Sequence, residues 1–399
     1  MIAMHSYLTV DMPGVGGRIK EKPEDFQVEE IPLYLPSGEG EHTYLEIEKK
    51  GITTLEAIRR LARFAAIPER EIGYAGMKDA GAVTRQTISL PRVAPERFLN
   101  LELPGVRAIS ARLHKNKLKL GHLAGNRFRI RVAGVATDAQ EKAGAIMAVL
   151  RERGVPNYFG AQRYGAQGNY PMVGRALLLG DYKGAIDCIM GDPGAVKDER
   201  WQNAITSYHN GNLPESLALF PVYCRTERDL LVRLVRNPTD YEKALHAVNV
   251  RLRRLYLSAY QSALFDRVLD ARLTGLDRVM EGDLAYKHLN GACFLVEDAG
   301  VEAPRAELFE ISPTGPLFGC KMTMPQGAPL ELERRLFGEE GITLERFAMS
   351  GGLRMEGERR PLRIELKDPV AEMEDAALVL EFSLPRGSYA TSVLREIMK

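Results

Sequence analysis

The chain has 399 residues, 45% of them hydrophobic and 27% charged, with a formal net charge of +1. That composition supplies apolar cores for two or three globular domains, and it excludes a disordered chain, a collagen-like repeat and a uniformly basic nucleic-acid coat. The longest apolar runs fall short of a membrane span, and the N-terminus lacks a basic start followed by an apolar stretch, so no membrane partner and a cytoplasmic location are expected.

In chain order, residues 23–31 and 42–49 alternate in polarity and read as strands. Thr53-Thr54-Leu55-Glu56 has the form of a capping box, and the helix behind it carries Leu55, Ile58, Leu61, Ala62 and Ala65 on one side. Next comes Gly73-Tyr74-Ala75-Gly76-Met77-Lys78-Asp79-Ala80-Gly81-Ala82-Val83-Thr84-Arg85-Gln86. It sets one carboxylate, Asp79, in a turn with three glycines and a lysine immediately before it. Glycines let backbone N–H groups approach an anion, and a carboxylate held by such donors and a cation stays ionised at neutral pH. That is a nucleophile waiting for an electrophilic carbon; the plain alternative is a solvated surface turn. A strand to Leu90 follows.

From Arg112 to Arg131 there are seven basic residues (Arg112, Lys115, Lys117, Lys119, Arg127, Arg129 and Arg131) and no acidic one. Such a stripe suits a phosphate backbone, or it is a strand pair whose acidic partners come from elsewhere in the chain. Within it, 126–135 reads as a strand with Phe128, Ile130 and Val132 on one face and arginines on the other. A capped helix runs from 137 to Gly154. The middle, 155–350, is more helical, with a segment from Val250 to Thr274 that stops at Gly275 and short strands at 292–297 and 316–322. Strands return at 362–366 and 376–384, and 390–398 reads as a closing helix. A sheet-rich first third, a helical middle and a sheet-rich end predict one domain interrupted by another.

Cys188, Cys224, Cys293 and Cys320 are scattered, which argues against a disulfide framework and singles out no thiol nucleophile. The seven histidines show no ligand spacing, so no metal is expected.

Six segments taken together resemble the TruD family of tRNA pseudouridine synthases, in an archaeal-type form. They are 20–30 (Lys20-Glu21-Lys22-Pro23-Glu24-Asp25-Phe26 onward), the 73–86 turn, 120–128 (Leu120-Gly121-His122 to Phe128), 155–165 (Val155-Pro156-Asn157-Tyr158-Phe159-Gly160 onward), 257–265 and 384–396 (Leu384-Pro385-Arg386-Gly387-Ser388-Tyr389 onward). They occur in the family's order and span the chain from residue 20 to its end.

The resemblance implies an α+β protein: a pseudouridine synthase fold, with a mixed and mostly antiparallel sheet flanked by helices, in 1–154 and 351–399, interrupted by an inserted TRUD domain at 155–350. It implies isomerisation of uridine to pseudouridine in tRNA, at position 13 in the D arm, acting on a base extruded from its stack. No atoms are gained or lost, so no cofactor is expected. tRNA is the implied partner, and no obligate protein partner is inferred. The catalytic aspartate falls at Asp79, whose carboxylate attacks C1′ or C6 or removes a sugar proton. Substrate-binding positions fall at Phe26, Asn126, Phe128 and Tyr389. Lys20 falls where a basic residue keeps the carboxylate ionised; Lys78 and Arg85 are candidates for phosphate contact or turn support. A non-catalytic RNA-binding or RNA-folding protein using the same cleft is the alternative. A hydrolytic glycosidase would need a second carboxylate, from Glu24, Asp25 or Glu29.

Overall fold

The computed structural model describes residues 6–399. The chain forms two compact units: Thr9–Val155 with Ile364–Lys399, and Pro156–Arg363 with residues 6–8. Among the described residues no helix is long and apolar enough to cross a membrane.

The first unit is built on a nine-stranded mixed sheet. Its strands are β1 (Phe26–Pro32), β2 (His42–Lys50), β3 (Gly73–Tyr74), β4 (Val83–Pro91), β5 (Glu102–Leu103), β6 (Val106–His114), β7 (Leu123–Val132), β8 (Lys367–Glu374) and β9 (Ala377–Pro385). The order is β8-β9-β7-β1-β4-β2-β6-β5, with β3 on β4. Only β1 and β4 pair in parallel; the other pairings are antiparallel. The C-terminal strands thus join the N-terminal ones through β9 on β7, with Phe382 opposite Phe128 and Leu380 opposite Ile130.

Alternation assigns the faces. One carries Leu45, Ile47, Ile88, Leu90, Phe128, Ile130, Leu380 and Phe382, all buried. The helix α1 (Thr54–Ala65) closes part of it with Ala57, Ile58, Leu61 and Ala65. Thr53 caps α1 by accepting the Glu56 N–H, but the Glu56 carboxylate turns to Arg59 and Arg60, so the box is half made. Helix α2 (Ala139–Arg153) buries Ala143, Ile146, Met147 and Leu150 and packs on β8 and on α3 (Ala390–Met398).

The opposite face settles the arginine stripe. Arg129 binds Glu374 at 2.7 Å and Glu381 at 3.0 Å, Arg127 binds Glu381 at 3.2 Å, and Arg131 donates to the carbonyls of Glu374 and Asp375. The acidic partners of Arg127 and Arg129 come from β8 and β9, and Arg131 is held by main-chain carbonyls, so this part of the stripe is not a free track for phosphates.

The second unit is mostly helical. Its largest core gathers Leu177, Ile186, Ile205, Phe220, Leu230, Leu257 and Phe318, around the long helix Val250–Arg272. The expected strand at 316–322 lies earlier, at Ile311–Leu317, which pairs with Glu358–Pro361. That pairing holds 358–361 in this unit, beyond the sequence-based boundary at 350. Two buried ion pairs, Arg359–Glu333 at 2.7 Å and Arg272–Asp283 at 2.8 Å, tie its elements.

Ile47 is fully buried under α1. Ile47→Ala is expected to cost about 2–5 kcal/mol, read as a lower urea midpoint for the full chain.

Candidate active site

The floor of the site is set by strand pairing. On β1 and β7, Glu30 lies opposite Asn126, Val28 opposite Phe128 and Phe26 opposite Ile130. From Phe26 to Glu30 is about 13 Å along the strand. Phe26 and Phe128 meet edge to face at 6.4 Å, and Phe128 lies 5.4 Å from Phe382. Both rings are buried, so they form an apolar floor, not free stacking faces.

The 75–82 loop is laid over this floor by contacts at its base. Lys78 N–H donates to Thr54 Oγ1 at 2.9 Å, and that hydroxyl donates to Gln86 Oε1 at 3.0 Å, fastening the loop to the start of α1 and to β4. The three glycines play unequal parts. At Gly73 an added Cβ would meet the Leu118 carbonyl at 2.3 Å and Ser89 Oγ at 2.4 Å, so only glycine fits. At Gly76 and Gly81 the nearest atoms are 3.9 and 3.7 Å away, and neither has a positive φ. What Gly81 supplies is its N–H, which donates to Asp79 Oδ1 at 2.9 Å.

Lysines converge on this loop from different directions. Lys20 sits 2.5 Å from Asp79 Oδ2, with its ammonium 4.4 Å above the Phe26 ring. Its backbone is left-handed, φ 60°, a conformation uncommon for lysine. The Lys20 hydrogen bond, more than any other contact, holds the Asp79 carboxyl below its ordinary value; the Gly81 N–H adds to this and partial burial opposes it. The Asp79 side chain is nevertheless 46% exposed, so the ionised group is open to a ligand.

Lys78 turns inward. Its ammonium is 3.1 Å from Glu30 and 2.6 Å from Asn126 Oδ1, with only 6% of its side chain exposed. It supports the loop and is not placed for a phosphate. Burial pushes the Glu30 carboxyl up, and the Lys78 charge opposes that.

Arg85 is not part of this arrangement. It alternates with Thr84 and Gln86, so it points to the other face of the sheet and pairs with Glu48 at 3.1 Å. Tyr389 stands at the start of α3, after β9, whose Leu384 lies opposite Asn126. It therefore enters at the same end of β7 as Asn126.

Lys49 is the residue that sequence reasoning missed. It ends the buried face of β2 after Leu45 and Ile47 and is wholly buried. Its ammonium donates to the main-chain carbonyl of Asp79 at 2.6 Å and to that of Ile52 at 2.9 Å. Burial pushes it down to about 8. The signal was present in the period: Leu45, Ile47 and Lys49 share one face, and a lysine on a core face needs a reason.

Because Lys49 loses its proton at lower pH in the fold than in the unfolded chain, the unfolded state binds the extra proton between about 8 and about 10.4. Stability therefore rises with pH through that window relative to Lys49→Met, which has no such group. Urea unfolding of both proteins at pH 7 and pH 9.5 checks this; a constant difference would contradict it.

The site as a whole is an ionised, accessible carboxylate above an apolar floor, flanked by an amide and held by buried charges. Comparison with known proteins gives this arrangement its context. The sequence model of the family described as tRNA pseudouridine synthase D (TruD) matches residues 2–397. A tRNA pseudouridine synthase D of Geobacter metallireducens is 65% identical over 98% of this chain and 97% of its own length. That of Thermus thermophilus is 40% identical over 99% and 92%. The crystal structure of a candidate tRNA pseudouridine synthase D from Methanosarcina mazei superposes with a TM-score of 0.87 at 29% identity, covering 100% of this chain and 96% of that one. With a family match over nearly its whole length and full-length relatives at such identities, the chain belongs to the TruD family of tRNA pseudouridine synthases.

Proposed function

We propose that the chain is a tRNA pseudouridine synthase that isomerises uridine at position 13, with Asp79 as the nucleophile. The observation that carries this reading is the Asp79 carboxylate itself, kept ionised by Lys20 and Gly81 yet half open to solvent, in a chain of this family. A protein that only bound RNA would gain nothing from an ionised carboxylate facing a polyanion.

The reaction is internally balanced. The bond between C1′ and N1 breaks, the base turns, and C1′ rejoins the ring through C5, whose proton is released as N1 takes one up. Asp79 attacks C1′ or C6, or removes a sugar proton; in each case the ionised form is the working one. Phe26 and Phe128 supply the apolar surface against which the extruded base rests, Asn126 meets its polar edge, and Tyr389 contributes an aromatic ring. The unit Thr9–Val155 with Ile364–Lys399 is the catalytic domain, and Pro156–Arg363 is the inserted domain.

The test is a nucleotide-resolved pseudouridine map of tRNA incubated with the purified chain. One uridine, number 13, is expected to convert, and Asp79→Asn is expected to convert none while still binding tRNA. Conversion by Asp79→Asn at a comparable rate would overturn the assignment. Lys20→Met removes the main contact that lowers the Asp79 carboxyl. The acid limb of its kcat profile is therefore expected at higher pH than in the unsubstituted chain, because Asp79 then takes up a proton sooner on acidification.

A further inference from the structure

Asn126 carries an amide whose two ends differ: one accepts hydrogen bonds and the other donates them. In an isolated side chain the two are interchangeable by a half-turn. Here they are not. The atom 2.6 Å from the Lys78 ammonium must be the oxygen, because an ammonium only donates. Lys78 cannot easily leave, since Glu30 holds it at 3.1 Å and the two side chains are 6% and 3% exposed. Glu30 is fixed in turn by the strand pairing that sets it opposite Asn126, and it accepts the Thr87 N–H at 3.4 Å. The Asn126 Nδ2 group has no hydrogen-bond partner among the described residues, so two donors are left to point away from the buried pair.

We propose that Glu30 and Lys78 are positioning residues that lock the Asn126 amide with its NH2 toward the reacting base, and that this lock makes the site choose uridine over cytidine. The inference rests on the functional reading above and deepens it. The two pyrimidines differ at position 4: uracil has a carbonyl oxygen that accepts, and cytosine has an amino group that donates. An NH2 held at that position pairs with the first and meets the second donor to donor. A free amide would turn over and accept from cytosine at little cost; an amide held by a buried ammonium would have to leave that cation facing a donor. The chain Glu30–Lys78–Asn126 thus carries a preference from a buried charge pair to a base edge that neither charged residue touches.

The test uses the full chain carrying Asp79→Asn, so that bound RNA stays unreacted, and two transcripts of one tRNA with uridine or cytidine at the target position. The protein is expected to bind the uridine form about tenfold more tightly or better. Asn126→Asp leaves an oxygen on Lys78 and presents a second oxygen to the base, so the preference is expected to reverse in favour of cytidine. Glu30→Gln with Lys78→Met removes both buried charges together, leaving none orphaned, and is expected to narrow the ratio to within about threefold. Lys78→Arg with Glu30 retained still offers only donors and is expected to keep the preference. A merely structural pair would change both affinities alike. Equal affinity of the Asp79→Asn chain for the two transcripts, or an Asn126→Asp protein that keeps the uridine preference, would overturn the proposal. Pseudouridine formation by the unsubstituted chain is measured alongside. Absence of any conversion removes the functional reading itself, whereas conversion without base preference removes only the lock.

Discussion

The contact between Lys20 and Asp79 is the interaction on which the site depends. A carboxylate on an open loop above two phenylalanines would gain little from its surroundings, and a loop of small residues would not hold it still. The lysine answers the first problem with an opposite charge 2.5 Å away. The second is answered from beneath, where the Lys49 ammonium grips the Asp79 carbonyl and the Thr54 hydroxyl takes the Lys78 N–H. Charge and backbone are thus fixed by different residues, arriving from a left-handed bend before β1, from the end of β2 and from the start of α1.

This division also explains why the buried charges near the site tolerate their burial. Lys49 donates to two main-chain carbonyls, and Lys78 donates to an amide oxygen and lies 3.1 Å from a buried carboxylate of opposite charge. Taking such groups out of water is costly, and unpaired they would neutralise or unfold the loop. Each is instead tied to a residue proposed to meet the substrate: Lys49 to Asp79, Lys78 to Asn126.

Much of the first unit was legible from residues alone. The alternation at 42–49, 126–135 and 376–384 follows β2, β7 and β9 closely, because each strand has one apolar face. Partners distant in sequence were not legible. The arginines at 127 and 129 read as a phosphate track because their carboxylates, Glu374 and Glu381, lie some 250 residues away and meet them only through the β9–β7 pairing. Side-chain direction in a loop was equally hidden: nothing in Met77-Lys78-Asp79 tells which of two adjacent charges faces inward. The cluster of glycines suggested close backbone approach throughout, whereas only Gly73 is sterically required and Gly81 acts through its N–H. In the second unit the strand at 311–317 was misplaced because Pro313, Gly315 and Pro316 mask it as loop, although it pairs on both sides.

The most direct test of the account is a carboxyl-resolved NMR titration of the full chain with 13C-labelled aspartate, with the Asp79 resonance assigned by its loss in Asp79→Asn. The structure predicts that this carboxyl titrates below the ordinary aspartate value, with Lys20 as the principal cause. A midpoint at or above that value would mean that the carboxylate is not held ionised by its neighbours, and would contradict the account at its base.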